Sequence, residues 1–187
     1  MTTKSADPDE STGFEKVAGE AKERATQVER DYADGDDRPL SGYLRVVGIY
    51  GAAVAVLGTA GRLTGRRLVG RLDLADFALL SLGTHKMTRV IAKDAITSPF
   101  RAPFTKYTEP GGAGEVNEDV RARSEWGHAV GELLSCPFCL AVWTASGFMA
   151  GMSFAPRHTR VVATVFSITA VSDALQYAYS ALKETEE

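Results

Sequence analysis

Long stretches with almost no charged side chains constrain the fold of this 187-residue chain more than any other feature. Residues 133–156 contain 24 consecutive uncharged residues, residues 46–61 contain 16, and residues 161–182 contain 22 with a single charge, Asp173. A helix needs about 20 mostly apolar residues to cross a bilayer. Because a run of 24 uncharged residues is long for a buried helix of a soluble protein, the pattern favours an all-α integral membrane protein.

A fourth segment is amphipathic rather than apolar throughout. Between Asp76 and Lys86 the apolar side chains recur at helical spacing, but polar residues flank them. Such a helix crosses a membrane only when it packs against others, and an interfacial helix fits the pattern equally well. We therefore predict three or four membrane helices within a domain of residues 41–187, in segments at about 44–61, 74–92, 133–155 and 160–182.

The first 40 residues differ in composition from the rest. Residues 1–40 hold 6 basic and 11 acidic side chains, whereas residues 41–187 hold 15 and 13. The net charge of −3 and the mean hydropathy of −0.10 therefore average an acidic tail with an apolar body. Such a polar segment buries too little apolar surface to offset the entropy that ordering costs. We therefore expect a mostly disordered tail with one amphipathic helix at 13–33. A net acidic chain also predicts no nucleic-acid partner.

The location and orientation follow from the flanking charges. No basic segment precedes the first apolar stretch, so we expect no secretory signal peptide. A cytoplasmic tail places the basic residues of the connector between the second and third segments inside, and the opposite orientation places the arginines of 62–71 and 157–160 inside. The first arrangement collects more positive charge. We therefore predict a multi-pass protein of the cell membrane with a cytoplasmic tail.

The connector at 96–127 contains residues that end helices, including three prolines and the pair Gly111-Gly112. Its first part, SPFRAPF, alternates aromatic and basic side chains. This pattern predicts an interfacial loop with Phe100 and Phe104 at the level of the lipid headgroups and Arg101 near lipid phosphate. A specific ligand or partner site is the alternative.

Two cysteines lie at C-x-x-C spacing, Cys136 and Cys139. Pro137 suits the first turn of a helix, so Cys136 is the expected N-cap, where the helix dipole favours a thiolate and redox chemistry. If the helix instead runs through Pro137, then His128, Glu132 and both cysteines share one face and can complete a tetrahedral metal site. Structural thiols are the third interpretation. Because a strong zinc signature has two such pairs, we predict no metal and no other cofactor.

Asp173 lies near the middle of the last segment, where a charge is costly unless it is paired. His85 and Arg89 share one face of the second segment, and we predict that one of them pairs with Asp173. The pair is either a clamp between helices or part of an ion or proton pathway. Gly147 and Gly151 form a small-xxx-small motif that predicts contact with a protein partner or a second copy.

Four strings in the sequence are together specific: LGTHKMTRVIAKDAITSPFRAPF, GAGEVNEDVRA, HAVGELLSCPFCLAVW and VSDALQYAY. Over about residues 72–181 the chain resembles the bacterial DUF1360 family of small membrane proteins, found in actinobacteria and bacilli. The chain has Lys86 where the family's Thr-His-Arg motif has arginine. The resemblance implies a membrane protein of unassigned function and supplies no catalytic residues.

These observations favour a non-enzymatic component of the lipid bilayer that acts through partners. Two alternatives remain open. One is a thiol-disulfide redox protein at the membrane surface that uses Cys136 and Cys139. The other is an ion or proton pathway through Asp173 with His85 or Arg89.

Overall fold

The computed structural model describes residues 8–33, 38–66, 68–121 and 124–185 of the chain. These residues are mainly helical, which confirms the predicted all-α class. In chain order the elements are α1 (Pro8–Ala33), α2 (Leu40–Leu63), α3 (Leu74–Lys93), a 3₁₀ turn (Ala95–Thr97), α4 (Ser98–Arg101), β1 (Thr105–Pro110), β2 (Val116–Val120), α5 (Glu125–Ser135), α6 (Pro137–Phe154) and α7 (Pro156–Glu184).

Local sequence explains where the long helices begin. The carboxylate of Asp73 caps α3 by accepting a hydrogen bond from the amide of Asp76 at 2.7 Å. The thiol of Cys136 caps α6 by accepting one from the amide of Cys139 at 3.3 Å, and Pro137 occupies the first turn. The helix start predicted at Cys136 is therefore confirmed.

The predicted segments and the observed helices differ at two places. The segment at 133–155 is two helices, because the extended backbone of Cys136 separates α5 from α6. The segment at 160–182 begins earlier, at Pro156, and Ala155 alone separates α6 from α7. The basic residues at 157–160 therefore lie within α7, at its start, and α6 and α7 form a helical hairpin.

Contacts along α2 fix its direction relative to α5 and α6. The hydroxyl of Ser41, near the start of α2, donates to the carboxylate of Glu125 at the start of α5. In the middle of α2, the hydroxyls of Tyr50 and Ser146 are 2.8 Å apart. After the end of α2, the guanidinium of Arg66 donates to the last carbonyl of α6. α2 therefore runs parallel to α5 and α6.

α3 and α7 run parallel to each other and antiparallel to α2 and α6. Arg160 in the second turn of α7 holds Asp76 in the first turn of α3, and further along Lys86 reaches Asp173. The bundle consequently has two distinct ends. We call the end formed by residues 62–66, 68–76 and 154–160 the arginine end, and the end that carries β1 and β2 the hairpin end.

The core is small and lies between α3, α6 and α7. It contains Leu80, Phe148, Met152 and Ala163. A Cβ at Gly83 would lie 3.2 Å from the backbone oxygen of Ala163, so this glycine lets α3 and α7 approach closely. Most of the apolar side chains lie outside this core, and many of those on α2, α6 and α7 are exposed.

Three helices, α2, α6 and α7, are long and apolar enough to cross a membrane by length and composition. Only 6%, 17% and 11% of their most apolar stretches are buried within the described part of the chain. α3 has the length of a span but carries more polar residues. The number of crossings therefore depends on the position of α3 in the bundle.

The connector contains a β-hairpin that the sequence analysis did not predict. β1 and β2 are antiparallel, with Thr105 opposite Val120 and Pro110 opposite Val116. In the turn, the amide of Gly111 donates to the carbonyl of Glu115 at 2.9 Å, and Gly114 has a φ of +78°. The proline and glycines do end helical structure, as we expected, but they do so by forming a tight turn.

The tail contributes α1, which includes the amphipathic helix predicted at 13–33 and begins at Pro8. The carboxylate of Glu29 accepts a hydrogen bond from the amide of Ser41 at 3.3 Å. Residues 1–7 and 34–37, which hold several of the tail's acidic side chains, lie outside the described residues. Disorder of the tail stays a prediction.

The close contact between α2 and α5 at Gly42 leads to a testable prediction. A Cβ there would lie 2.3 Å from the backbone oxygen of Glu125, so the helices must separate to accept it. We expect Gly42→Ala to lower the stability of the full chain by about 1–3 kcal/mol, measured by thermal unfolding in detergent micelles.

Gly51 provides the matched control on the same helix. Nothing lies within 4 Å of a Cβ at Gly51, and alanine is the better helix former by about 1 kcal/mol. Gly51→Ala should therefore melt at or above the temperature of the unchanged protein. If Gly42→Ala does the same, α2 does not pack on α5 as described.

Candidate functional site

The hairpin end is organised around a buried ion pair between Arg101 and Glu118. The side chains are 1% and 5% exposed. The Nε of Arg101 donates to Oε2 of Glu118 at 2.9 Å, and its Nη2 donates to Oε1 at 2.9 Å. This two-pronged arrangement matches the planar guanidinium to the carboxylate.

The other donors of Arg101 cap the C-terminal end of α3. Nη1 donates to the carbonyl of Ile91 at 2.7 Å, and Nη2 donates to the carbonyl of Asp94 at 3.1 Å. These are carbonyls of the last turn and the C-cap, which lack partners within the helix and carry the negative end of its dipole. The same side chain therefore ends α3 and holds β2. The prediction that Arg101 lies near lipid phosphate is wrong, since its donors are used inside the protein, whereas Phe100 is 79% exposed.

Hydrogen bonds determine the charge state of Glu118. Burial alone would raise the pKa of its carboxyl, but the donors Arg101, Thr105 and Ser98 outweigh burial and lower the pKa from 4.5 to about 2. Both hydroxyls donate to the carboxylate at 2.7 Å. Glu118 therefore remains ionised at neutral pH. We call the pair of Arg101 and Glu118 the clamp, and it is fully hydrogen-bonded.

A polar cavity of about 550 Å³ lies between α3, α7 and the hairpin turn. The predicted intramembrane residues Asp173, His85 and Arg89 all line it. Their predicted pairing is wrong: Nζ of Lys86 lies 2.8 Å from Oδ2 of Asp173, whereas Arg89 binds Glu115 through two nitrogens at 2.6–3.0 Å. The hairpin carries Glu115 to Arg89, so Lys86 is left for Asp173.

The level of Asp173 along the bundle also differs from the prediction. Asp173 follows Pro156, the first residue of α7, by 17 positions, a rise of about 26 Å along the helix. The 18 residues of the neighbouring α6 rise about 27 Å. Asp173 therefore lies level with the start of α6, near the hairpin end, and not at the middle of the bundle.

The four residues considered as metal ligands do not share one helix face. Cys136 has φ −108° and ψ 107°, so α5 ends before it and the continuous helix that the hypothesis required is absent. The carboxylate of Glu132 lies 3.4 Å from His128 and accepts a hydrogen bond from Tyr43 at 2.6 Å. Among the residues that the structure describes, no three His, Cys, Asp or Glu side chains are grouped to hold a metal.

The cysteines themselves are free thiols. Cys139 is exposed and Cys136 is partly exposed. Their separation along the first turn of α6 allows a disulfide by spacing, and redox activity stays a prediction.

The small-residue motif of α6 is divided between two environments. A Cβ at Gly151 would lie 2.4 Å from the hydroxyl of Thr159, so Gly151 packs against α7 of the same chain. Nothing lies within 4 Å of a Cβ at Gly147. Only Gly147 is open to a second copy, and association through this face stays a prediction.

A family model described as a protein of unknown function, DUF1360, matches residues 79–179. The chain belongs to the DUF1360 family. The match covers most of α3, the Arg101–Glu118 clamp, the hairpin, α5, α6 and most of α7, and it leaves out α1 and α2. Every residue of the cavity except Ser180 lies within the family region.

Two relatives come from Bacillus subtilis (strain 168). The UPF0713 protein YngL is 33% identical over 88 residues, which are 46% of this chain and 65% of YngL. The sporulation protein YjcA is 26% identical over 100 residues, which are 52% of this chain and 85% of YjcA. The match thus spans slightly less than two thirds of YngL. No solved structure matches the chain at a significant level.

The clamp predicts an acid-sensitive hairpin end. Because the pKa of Glu118 is lower in the folded state, its contribution is complete above about pH 4.5 and is lost as the pH falls towards 2. The loss should be on the order of 3 kcal/mol. We expect the unfolding temperature of the full chain in micelles to fall over this window.

The variant Glu118→Gln tests whether Glu118 is the group responsible for this loss of stability in acid. It leaves Arg101 buried without a countercharge, so stability at pH 7 should fall by about 3–5 kcal/mol, and the remaining decline below pH 4.5 should be shallower. Asp119→Asn removes an exposed carboxylate from the same strand and should change neither quantity. Parallel pH curves for Glu118→Gln and the unchanged chain would contradict the assignment.

Proposed function

We propose that this chain is an integral membrane protein with four crossing helices, α2, α3, α6 and α7, and that it acts by binding a partner at its hairpin end. The observation that carries the proposal is the outward apolar surface of three of these helices. Val54, Val142, Val165 and Ile168 are 46%, 55%, 57% and 63% exposed. In water this surface would be costly, whereas a bilayer covers it.

The course of the chain between α2 and α5 indicates that α3 is the fourth crossing. α2 ends at the arginine end and α5 begins at the hairpin end, so α3 must return between them. Its 20 residues rise about 30 Å, the thickness of a hydrocarbon core. The ion pairs that Asp76, Lys86 and Arg89 form with α7 and the hairpin reduce the cost of placing α3 there.

The hairpin end supports a binding role. The Arg101–Glu118 clamp fixes the hairpin on α3, and the pair Arg89–Glu115 fixes its turn, so the cavity has firm walls on three sides. Such preorganised polar surfaces suit recognition, because little freedom is lost on binding. The charged groups of the cavity lie at the level where α6 begins, which favours a surface site over an ion pathway through the bundle.

Alkaline carbonate extraction and labelling of introduced cysteines test the membrane arrangement. In a Cys136→Ser, Cys139→Ser background, we would place one cysteine at Lys106 on the hairpin or at Arg71 at the arginine end. The protein should stay in the membrane pellet. With a cytoplasmic tail, a membrane-impermeant maleimide should label Arg71→Cys in intact cells and leave Lys106→Cys unlabelled.

Inside-out vesicles provide the control, and there the labelling should reverse. Release of the protein by carbonate would contradict membrane insertion. Labelling of both positions from the same side would contradict a crossing by α3, even if the protein stays in the pellet. If Lys106→Cys is labelled in intact cells and Arg71→Cys is not, the four crossings stand but the prediction of a cytoplasmic tail is wrong.

A redox function is the second candidate, because the sulfur of Cys136 caps α6 and Cys139 lies in the first turn of the same helix. Oxidation would join the two sulfurs, release two protons and pass two electrons to a disulfide of a partner, which becomes a dithiol. The exposure of Cys139 supports this candidate, because a partner needs access to one of the two thiols.

Differential alkylation across a series of glutathione redox buffers tests this candidate. A redox pair should lose both alkylatable thiols together in oxidising buffers and regain them with dithiothreitol. Cys136→Ser should keep Cys139 alkylatable under the same conditions. Two thiols that remain alkylatable throughout the series would identify the pair as structural.

A further inference from the structure

A groove of about 520 Å³ runs along the outer face of α2 near the arginine end. Its lining has small residues on α2, one leucine beyond the helix and one arginine: Ala55, Gly58, Thr59, Leu68 and Arg62. The spacing of three and four places the α2 residues on one helix face. The hydroxyl of Thr59 donates to the carbonyl of Ala55 at 2.8 Å, so the wall that it presents is largely apolar.

Arg62 lies at the end of this groove and is exposed. Within the described part of the chain it forms no hydrogen bond or ion pair, unlike two other arginines of the same end. Arg66 donates to the carbonyl of Phe154, and Arg160 binds Asp76. The guanidinium of Arg62 is therefore available to an external anion.

The surroundings strengthen the positive charge. The described residues of the arginine end include five arginines and two aspartates. Such an excess of positive charge next to a membrane attracts anionic headgroups, with about 1 kcal/mol for each basic residue near the surface. The charge and the apolar groove thus meet at the depth where α2 leaves the proposed bilayer.

We propose that this groove binds an anionic phospholipid, with an acyl chain along Ala55, Gly58 and Thr59 and the phosphate at Arg62. A zwitterionic lipid would fill the groove but would not neutralise the excess positive charge. A second α2 packed in parallel would bring two Arg62 side chains together, which is unfavourable. The inference rests on the proposed membrane insertion and adds a ligand at the end opposite to the cavity.

Native mass spectrometry of the full chain tests the site. The protein, purified in a neutral detergent, would be mixed with phosphatidylglycerol or with phosphatidylcholine of the same acyl chains. The unchanged chain should retain phosphatidylglycerol at concentrations where phosphatidylcholine adducts are rare. Arg62→Gln should reduce the phosphatidylglycerol adduct by about fivefold or more.

Two matched controls separate the site from general charge and from folding. Lys106→Gln removes an exposed positive charge on the hairpin and should leave the adduct unchanged. Gly58→Leu fills the groove at a position with no neighbour within 4 Å and should reduce the adduct. Ala53→Leu, on α2 but outside the groove, should not reduce it.

Each remaining outcome counts against the inference. Equal adducts of the two lipids, or equal effects of Arg62→Gln and Lys106→Gln, would overturn a specific site. Displacement of the lipid by millimolar inorganic phosphate would assign the arginine to free anions. A dimer mass in unchanged protein that Gly58→Leu abolishes would assign the groove to a second copy. Carbonate extraction of every variant shows separately whether membrane insertion has failed.

Discussion

The guanidinium of Arg101 connects parts of the chain that would otherwise have no reason to meet. It caps the last carbonyls of α3 and at the same time neutralises Glu118 on β2. Burying two charges is favourable only when their remaining donors and acceptors are also satisfied, and here Ser98 and Thr105 complete the set. With the hairpin fixed in this way, Glu115 reaches Arg89, and Lys86 is left to pair with Asp173.

The two ends of the bundle differ in how their charged side chains are paired. At the hairpin end, positive side chains of α3 and α4 are matched by carboxylates of the same chain, and together they enclose a cavity. At the arginine end, Arg62 has no such partner among the described residues. In our proposal the first arrangement provides a surface for recognition, whereas the second leaves Arg62 available to an anionic lipid. The apolar faces of α2, α6 and α7 separate the two.

The candidate site could be predicted in part. A charge in an apolar segment must find a partner, and this reasoning selected Asp173, His85 and Arg89, which the structure brings to one cavity. It failed on the pairing, because which cation reaches Asp173 depends on Glu115, a hairpin residue with no helical periodicity to place it. The same hairpin, with its clamp, explains why Arg101 points inward while the adjacent Phe100 is exposed.

The sequence by itself determined the positions of the apolar helices, the start of α6 at Cys136 and the contrast between an acidic tail and an apolar body. These properties depend on helical spacing, on the missing amide hydrogen of Pro137 and on composition, all of which are local. Only the tertiary structure decided the return of α3, the hairpin and the ion pairs. Those depend on contacts between distant residues, such as Asp76 and Arg160, 84 positions apart, which no local pattern encodes.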